Sequence, residues 1–341
     1  MHKKLLVITQ KVDRKDRNLG FFHRWLEEFA RYADVTVIAS FVGDHTLPAN
    51  VHVYSFGKDR GFSRLGRILE YRRLYARHSR DADAVFFHMA PEFVVAALPA
   101  ILFRRHRTGL WYVHGSVPFW LRLASRLVDV IFTASQKSFR LVSKKVMYTG
   151  HAIDADFFKP AASTAPQNAI RLLVAGRISS VKKIEDIIDA CARLTGTAWI
   201  LSIVGGPLTS ADEGYVKTLR ERINAKNLKN NIVWRGAHSY GEMPAIYQSH
   251  DLFISVSGTG SVDKAVLEAM ACGLTVITAN EAFRDILPEP YYVERYDPEI
   301  LAERIRRLAG EPRPNPGLRL VVEEHHAMSS TIRAIAERLL S

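Results

Sequence analysis

The chain is constrained most by an alternation that runs twice. Short runs rich in β-branched and aromatic residues are separated by helix-length amphipathic stretches. The first series holds LLVIT (5–9), VTVIAS (35–40), VHVYS (51–55), AVFFH (84–88), LWYVH (110–114), VIFTAS (130–135) and KVMYT (145–149). The second holds IRLLVAG (170–176), WILSIVGG (199–206), NIVWRG (231–236), DLFISVS (251–257), LTVIT (274–278) and YYVE (291–294). Between strands, the stretch from Gly20 to Tyr32 places Phe22, Trp25, Leu26 and Phe29 on one helical face. Strand and helix in alternation predict parallel sheets with crossover helices, an α/β architecture. FFKPAASTAPQNA (157–169), rich in Ala, Pro, Ser and Thr, separates the two series and reads as a linker between two doubly wound domains, 1–156 and 170–325. Ligands of such sheets bind beyond the carboxyl ends of the strands. With two facing domains, the expected site is the cleft between them.

At 341 residues, 48% hydrophobic and 24% charged, the chain has the length and composition for two globular domains. It has two cysteines, Cys191 and Cys272, both in helix-like stretches, which suggests a reducing compartment rather than a disulfide framework. The apolar run LLVI near the amino end is too short for a secretory signal, and FVVAALPAILF (93–103) is too short to span a bilayer. The expectation is a cytoplasmic protein, soluble or peripheral at the inner face of the membrane.

The net charge of +12 is unevenly spread: residues 1–150 hold 25 Lys and Arg against 12 Asp and Glu, whereas residues 151–341 are nearly balanced at 22 against 23. An excess confined to one half suggests an anionic substrate, an anionic membrane or nucleic acid. Nucleic acid is disfavoured because no binding module is recognisable. Seven arginines lie between Arg60 and Arg80, interleaved with Leu65, Ile68, Leu69 and Tyr75. LFRRHRTG (102–109) adds Arg104, Arg105 and Arg107. A basic amphipathic helix suits an anionic membrane surface; the plainer reading is a solvated helix face.

Three stretches of the second series carry candidate chemistry. GRISSVKK (176–183) follows the first strand, so that Arg177 and Lys182 meet a helix start where a diphosphate would be favoured. A solvated loop explains the same residues. Gly205 and Gly206 end the next strand and let backbone approach a ligand, or simply make a tight turn. SVSGTGSVDKAVLEAMACGLTVIT (255–278) ends a strand in a glycine-rich turn whose N–H groups can cradle an anion. A helix follows from about Val262 to Cys272, with Gly273 as its stop. Glu268, two turns in, can accept hydrogen bonds from two ribose hydroxyls or be an exposed helical Glu.

GRISSVKKIEDIIDA, IVGGPL, VWRGAHSYGEMPAIYQSHDLFISVS and LEAMACGLTVI, in this order, resemble glycosyltransferase family four across the second domain. YVHG and TASQKS…TGHAIDADFF are similar more loosely in the first. The resemblance implies the GT-B fold of two facing Rossmann-like domains, with a carboxyl-terminal helix (326–341) returning to the first. It also implies sugar transfer from a nucleotide-sugar, a co-substrate rather than a cofactor, with retention and without a bound metal. The expected donor is a UDP-sugar, and the expected acceptor a saccharide or lipid-linked saccharide in surface polysaccharide synthesis. On this resemblance Arg177 and Lys182 hold the diphosphate and Glu268 the ribose. The segment at Ala237 and His238 reads the base, Gly20 approaches the diphosphate, and His114 lies beside the transferred sugar.

The sequence also departs from the family. The first Glu of its two-glutamate motif falls on Gly260, and the usual Gly-Phe-Gly becomes Ser261, Val262 and Asp263, followed by Lys264. Asp263 and Lys264 either replace the lost donor contacts, or Asp263 is a first-turn acid favoured by the helix dipole. The first loop has one glycine where two are common. Two D-x-D triplets, Asp81/Asp83 and Asp154/Asp156, do not follow an apolar strand, so no metal site is expected. His88, ending AVFFH, either touches the acceptor or is structural. The departures keep two alternatives open: a non-catalytic nucleotide-sugar-binding subunit, and another GT-B enzyme such as an epimerase or a phosphorylase.

Overall fold

A computed structural model describes residues 3–103, 106–161, 169–258, 260–294 and 296–341. The chain divides into two compact units, Met1–Ala152 with His326–Ser341, and Ile153–His325. Residues 162–168 of the stretch read as a linker, and Arg104 and Arg105 of the basic run, lie outside the described residues.

The first unit is built on strands β1 (Lys4–Val12), β2 (Asp34–Val42), β3 (Val51–Ser55), β4 (Ala84–His88), β5 (Arg107–Trp111), β6 (Val130–Thr133) and β7 (Val146–Tyr148). They form one sheet in the order β3-β2-β1-β4-β5-β6-β7, and every neighbouring pair is parallel. Helices α1 (Phe21–Phe29), α2 (Arg64–His78), α3 (Pro91–Ala96) and α4 (Phe119–Leu127) connect them. Alternate residues of β1 bury in opposite directions. Leu5 and Val7 join a core with Phe22, Trp25, Leu26 and Phe29 of α1, whereas Leu6 and Ile8 join one with Tyr71, Leu74 and Tyr75 of α2. A strand buried on both faces reads as a continuous apolar run, which is why LLVI is legible as a parallel strand.

The second unit holds β8 (Ile170–Ala175), β9 (Trp199–Val204), β10 (Ile232–Gly236), β11 (Leu252–Ser255) and β12 (Thr275–Thr278), parallel in the order β10-β9-β8-β11-β12. Its helices are α5 (Ile184–Cys191), α6 (Ser210–Ala225), α7 (Met243–Gln248), α8 (Lys264–Ala271), α9 (Pro298–Leu308) and α10 (Pro316–His325). The last helix, α11 (Met328–Leu340), belongs to the first unit, where Ile332, Ile335 and Leu339 enter the core with Leu5 and Val7. Phe157 and Phe158 belong to the second unit; Phe158 is buried and its ring lies 5.3 Å from that of Tyr240.

The run YYVE does not become a strand. It makes a single bridge, Thr278 to Tyr292. Tyr291 N and Tyr292 N instead donate to Pro288 O at 3.0 and 3.3 Å, so the turn that Pro288 opens takes the N–H groups a longer ladder would need. LWYVH is likewise shorter than read: β5 stops at Trp111 and leaves His114 in the following loop.

Both sheets reverse their strand order once, between β1 and β4 and between β8 and β11. Loops leave in opposite directions at such a point and open a crevice at the carboxyl ends of the two strands. The local chemistry of the second unit gathers there.

Candidate active site

Gly176, Gly205 and Gly236 end the three neighbouring strands β8, β9 and β10, each with φ in the left-handed region. At Gly205 the reason is steric as well: a Cβ there would lie 1.8 Å from Gly176 O, so the two loops approach only if the residue has no side chain. The contact is reinforced by Gly205 N donating to Gly236 O at 2.7 Å and Ile178 N to Gly206 O at 3.1 Å. A Cβ on Gly206 would sit 3.7 Å from the Ala237 Cβ. The Gly205–Gly206 turn and the Ala237–His238 segment are therefore neighbours.

Arg177 and Lys182 leave the end of β8 in two directions, and each is met by a carboxylate. Arg177 makes a bidentate pair with Asp212, Nε to Oδ2 and Nη2 to Oδ1, both 3.1 Å. Asp212 is fixed by a capping box at the start of α6: its Oδ2 accepts from Thr209 N, and its own N–H donates to Thr209 Oγ1. Arg177, aided by the Leu208 amide and by Thr209, brings the Asp212 carboxyl down to about 2. Lys182 Nζ lies 2.7 Å from Asp263 Oδ2. Asp263 caps α8, its Oδ1 accepting from Ala265 N at 3.1 Å, while Oδ2 also accepts from Ser255 Oγ at 3.1 Å. Burial raises the Asp263 carboxyl, but Lys182 and the two local donors outweigh it, and the net direction is down. The helix start after GRISSVKK is also occupied: Ile184 N donates to the Tyr215 hydroxyl at 2.8 Å rather than facing an open anion site.

One residue on from Asp263, Lys264 forms a second pair within α8. Its Nζ lies 3.3 Å from Glu268 Oε1 and 4.8 Å from the centroid of the Tyr240 ring. Tyr247 donates to Glu268 Oε2 at 3.0 Å. Glu268 is thus buried and paired, not the exposed helical Glu that its sequence position also allowed. Burial lowers the Lys264 ammonium to about 8 despite Glu268, and burial raises the Glu268 carboxyl against the opposing pull of Lys264 and Tyr247. Each Glu268 oxygen keeps a second lone pair, so a ribose hydroxyl can be added without breaking either bond.

Gly260, Ser261 and Val262 form the turn before α8, while Thr259 lies outside the described residues. Gly260 N donates to Gly258 O at 3.2 Å. Buried Asn280 holds the turn from below, its Nδ2 donating to Ser261 O at 2.7 Å, and Val262 is buried. The helix read as starting near Val262 begins at Lys264, because Asp263 takes the cap. His238 lies 3.2 Å from both Glu242 Oε1 and Arg235 O, while Glu242, bound to Ser239 and then to His238, is brought down to about 2.

In the first unit, Gly20 caps α1 with φ −56° and ψ −30°, an ordinary helical conformation, so backbone torsion does not demand glycine here. His114 is exposed, and its Nδ1 accepts from Ser116 N at 3.0 Å. That bond leaves the ring proton of a neutral imidazole on Nε2. His88 is 1% exposed, stacked on Phe22 at 4.0 Å and 3.2 Å from Thr9 Oγ1. Asp83 accepts from Lys4 N at 2.8 Å and Asp154 from Phe157 N at 3.0 Å, so one carboxylate of each D-x-D triplet holds a backbone N–H. Among the described residues no group of three or more His, Cys, Asp or Glu is placed to hold a metal ion. Both cysteines are free and buried, and burial raises both thiols.

Asp212, Tyr247, Tyr240 and Ser255 are functional candidates that sequence reasoning missed. Only Asp212 had a usable signal, the Thr209-x-x-Asp212 capping box.

Comparison with known proteins identifies the fold and the family. HepE from Anabaena, solved with UDP and glucose, is 18% identical, with 100% of both chains covered and a TM-score of 0.77. Sucrose-phosphate synthase from Thermosynechococcus elongatus is 14% identical over 98% of each chain, TM-score 0.78. A glycosyltransferase from Rickettsia africae is 16% identical over 99% of each chain, TM-score 0.75. At these identities the likeness shows the fold alone, and the fold is GT-B. Comparison with curated protein sequences returns no match. The family model for glycosyl transferases group 1 matches residues 156–327, slightly more than half of the chain. The chain therefore belongs to the glycosyl transferases group 1 family and is a glycosyltransferase.

Proposed function

We propose that the protein transfers a sugar from a UDP-sugar to a saccharide or lipid-linked saccharide with retention and without a metal, at the cytoplasmic face of a membrane, in surface polysaccharide or glycoconjugate synthesis. The observation that carries this reading is the gathering of Arg177, Lys182 and Lys264 around the carboxyl ends of β8 and β11, each already held by a carboxylate. Cations held in place before the donor arrives stabilise charge on a leaving diphosphate without reorganising, which is where electrostatic catalysis is strongest. They supply the positive charge that a divalent ion otherwise would. UDP in the HepE structure supports the choice of nucleotide.

In this scheme the diphosphate displaces Asp263 from Lys182 and Asp212 from Arg177, Glu268 takes the ribose hydroxyls, and the Gly206–Ala237 neighbourhood takes the base. His114 donates from Nε2 to a sugar hydroxyl and does not attack. With no clear carboxylate nucleophile among the residues assigned to the site, acceptor attack proceeds on the face the leaving group vacates, and the diphosphate oxygen receives the acceptor proton. The test is incubation with a panel of UDP-sugars, with and without saccharide acceptors, reading UDP release and the anomeric configuration of the product by NMR. An inverted anomer overturns retention. A second reading, a non-catalytic donor-binding subunit, is favoured by the same Gly260 and by the neutralisation of Lys182. It expects UDP-sugar binding, seen as a rise in apparent stability, with no release of UDP under any acceptor.

A further inference from the structure

The first unit contains a groove of about 810 Å³ lined by none of the residues placed in the donor site above. This volume is within the range of about 300–1,000 Å³ usual for small-molecule sites. Gln10 and Ser40, near the carboxyl ends of β1 and β2, and Pro91, just after β4, border it, so it opens on the side of the sheet where ligands bind. One wall is apolar and fixed. Phe56 packs edge-on against Tyr71 and Phe93 at 5.4 and 5.3 Å, and the Tyr71 hydroxyl donates to Phe93 O at 2.7 Å. Trp120, 48% exposed, stands at the rim.

The other wall carries Lys58, Arg64 and Arg67 against a single acid, Glu92. Nearby arginines of the same helical segment are engaged elsewhere: Arg60 and Arg73 share Glu70, and Arg72 donates to Leu98 O. Among the described residues, the three cations of the groove have no carboxylate within salt-bridge distance, and Arg67 Nε is enclosed with no acceptor. A guanidinium or ammonium with no carboxylate beside it is a ready partner for an anion in the groove. Apolar carbon on one side and unpaired cations on the other fit an amphiphile with a phosphate head. A bare saccharide would meet too few polar groups on the Phe56–Phe93 wall.

We propose that this groove binds an isoprenoid diphosphate, the lipid carrier of the acceptor saccharide. Lys58, Arg64 and Arg67 hold the diphosphate, and Phe56, Phe93 and Trp120 line the path of the chain. The proposal rests on the lipid-linked acceptor named above and deepens it. Calorimetry with farnesyl diphosphate, farnesol and inorganic diphosphate, each with and without saturating UDP, tests it on the full chain. Farnesyl diphosphate is expected to bind whether or not UDP is present, and farnesol and inorganic diphosphate to bind at least about tenfold more weakly, the loss of a charge-assisted contact or of the apolar wall. The double variant Arg64→Ser, Arg67→Ser should lose a similar factor for farnesyl diphosphate and keep UDP affinity. Ala96→Trp, which fills the groove from the side of α3, should also block the probe. Displacement by UDP, equal binding of farnesol, or undiminished binding by the double variant overturns the proposal. Absence of UDP binding strikes the donor reading instead and leaves the groove result standing.

Discussion

Lys182 Nζ and Asp263 Oδ2 meet at 2.7 Å across the reversal point of the second sheet, one from the loop after β8 and the other from the turn after β11. The pair joins the two loops and holds the lysine in place, but it also competes with any phosphate for the same ammonium. Asp263→Asn keeps the helix cap, since Asn caps as well as Asp, and removes the competing charge. We expect UDP to bind the variant about three- to tenfold tighter, the scale of one net hydrogen bond. Calorimetry against the parent protein decides it; weaker binding would mean that Asp263 serves the donor directly.

Loss of the cations themselves should be more severe. Arg177→Ala and Lys182→Ala are each expected to lower kcat/KM by about two orders of magnitude, the usual loss for one transition-state donor. Near-parental turnover in the double variant would remove both from the diphosphate site.

The pair of Lys264 and Glu268 gives a pH signature. Burial lowers the ammonium to about 8, so as the pH rises through that value Lys264 loses its charge beside an anionic donor. UDP affinity should fall with a midpoint near 8 and be fully present below it. Lys264→Met should abolish this step in a titration series. A step that survives the substitution belongs to another group.

Glu268→Ala is expected to weaken UDP binding and, by removing the carboxylate paired with the buried Lys264 ammonium, to cost up to about 3 kcal/mol of stability. The combined variant Lys264→Met, Glu268→Leu should recover the melting temperature but not UDP affinity. Recovery of both would leave Glu268 with a structural role only.

Metal independence and membrane contact are checked separately. Turnover should survive excess EDTA, and loss reversed by manganese would require a metal in the mechanism. Leu65, Ile68 and Leu69 of α2 are exposed, and no helix among the described residues is long and apolar enough to cross a membrane. Vesicles with anionic lipid should co-sediment the protein at low salt and release it at high salt, since each surface Arg contributes about 1 kcal/mol and is screened. Leu65→Ser with Leu69→Ser should reduce this binding. Sedimentation indifferent to lipid charge would make α2 a solvated face.

The parallel strands were legible because burial on both faces writes them as unbroken apolar runs. Helix α8 was legible to within two residues, from an acid at its start and Gly273, at φ +69°, just past its end. The site was legible on one side only. Arg177 and Lys182 stand out after β8, but their carboxylates lie 35 and 81 residues further along, a distance that no local pattern spans. Tyr247 is invisible for the same reason: it reaches Glu268 from a different helix. Gly205 could be read as a turn, yet its real constraint, the carbonyl of Gly176, comes from a neighbouring strand end.

The return of α11 to the first sheet has a consequence for synthesis on the ribosome. Ile332, Ile335 and Leu339 cover apolar residues of β1, β4 and β6, including Leu5, Phe86 and Phe132. Until the turns of α11 emerge, the unit translated first keeps an uncovered hydrophobic face, whereas the unit translated second already has its complete core sequence. The usual order, in which the amino-terminal domain folds first, is thereby reversed for completion. Until α11 emerges, the nascent chain carries a finished second unit and an unfinished first one, and its exposure to aggregation and to chaperones is greatest in that interval.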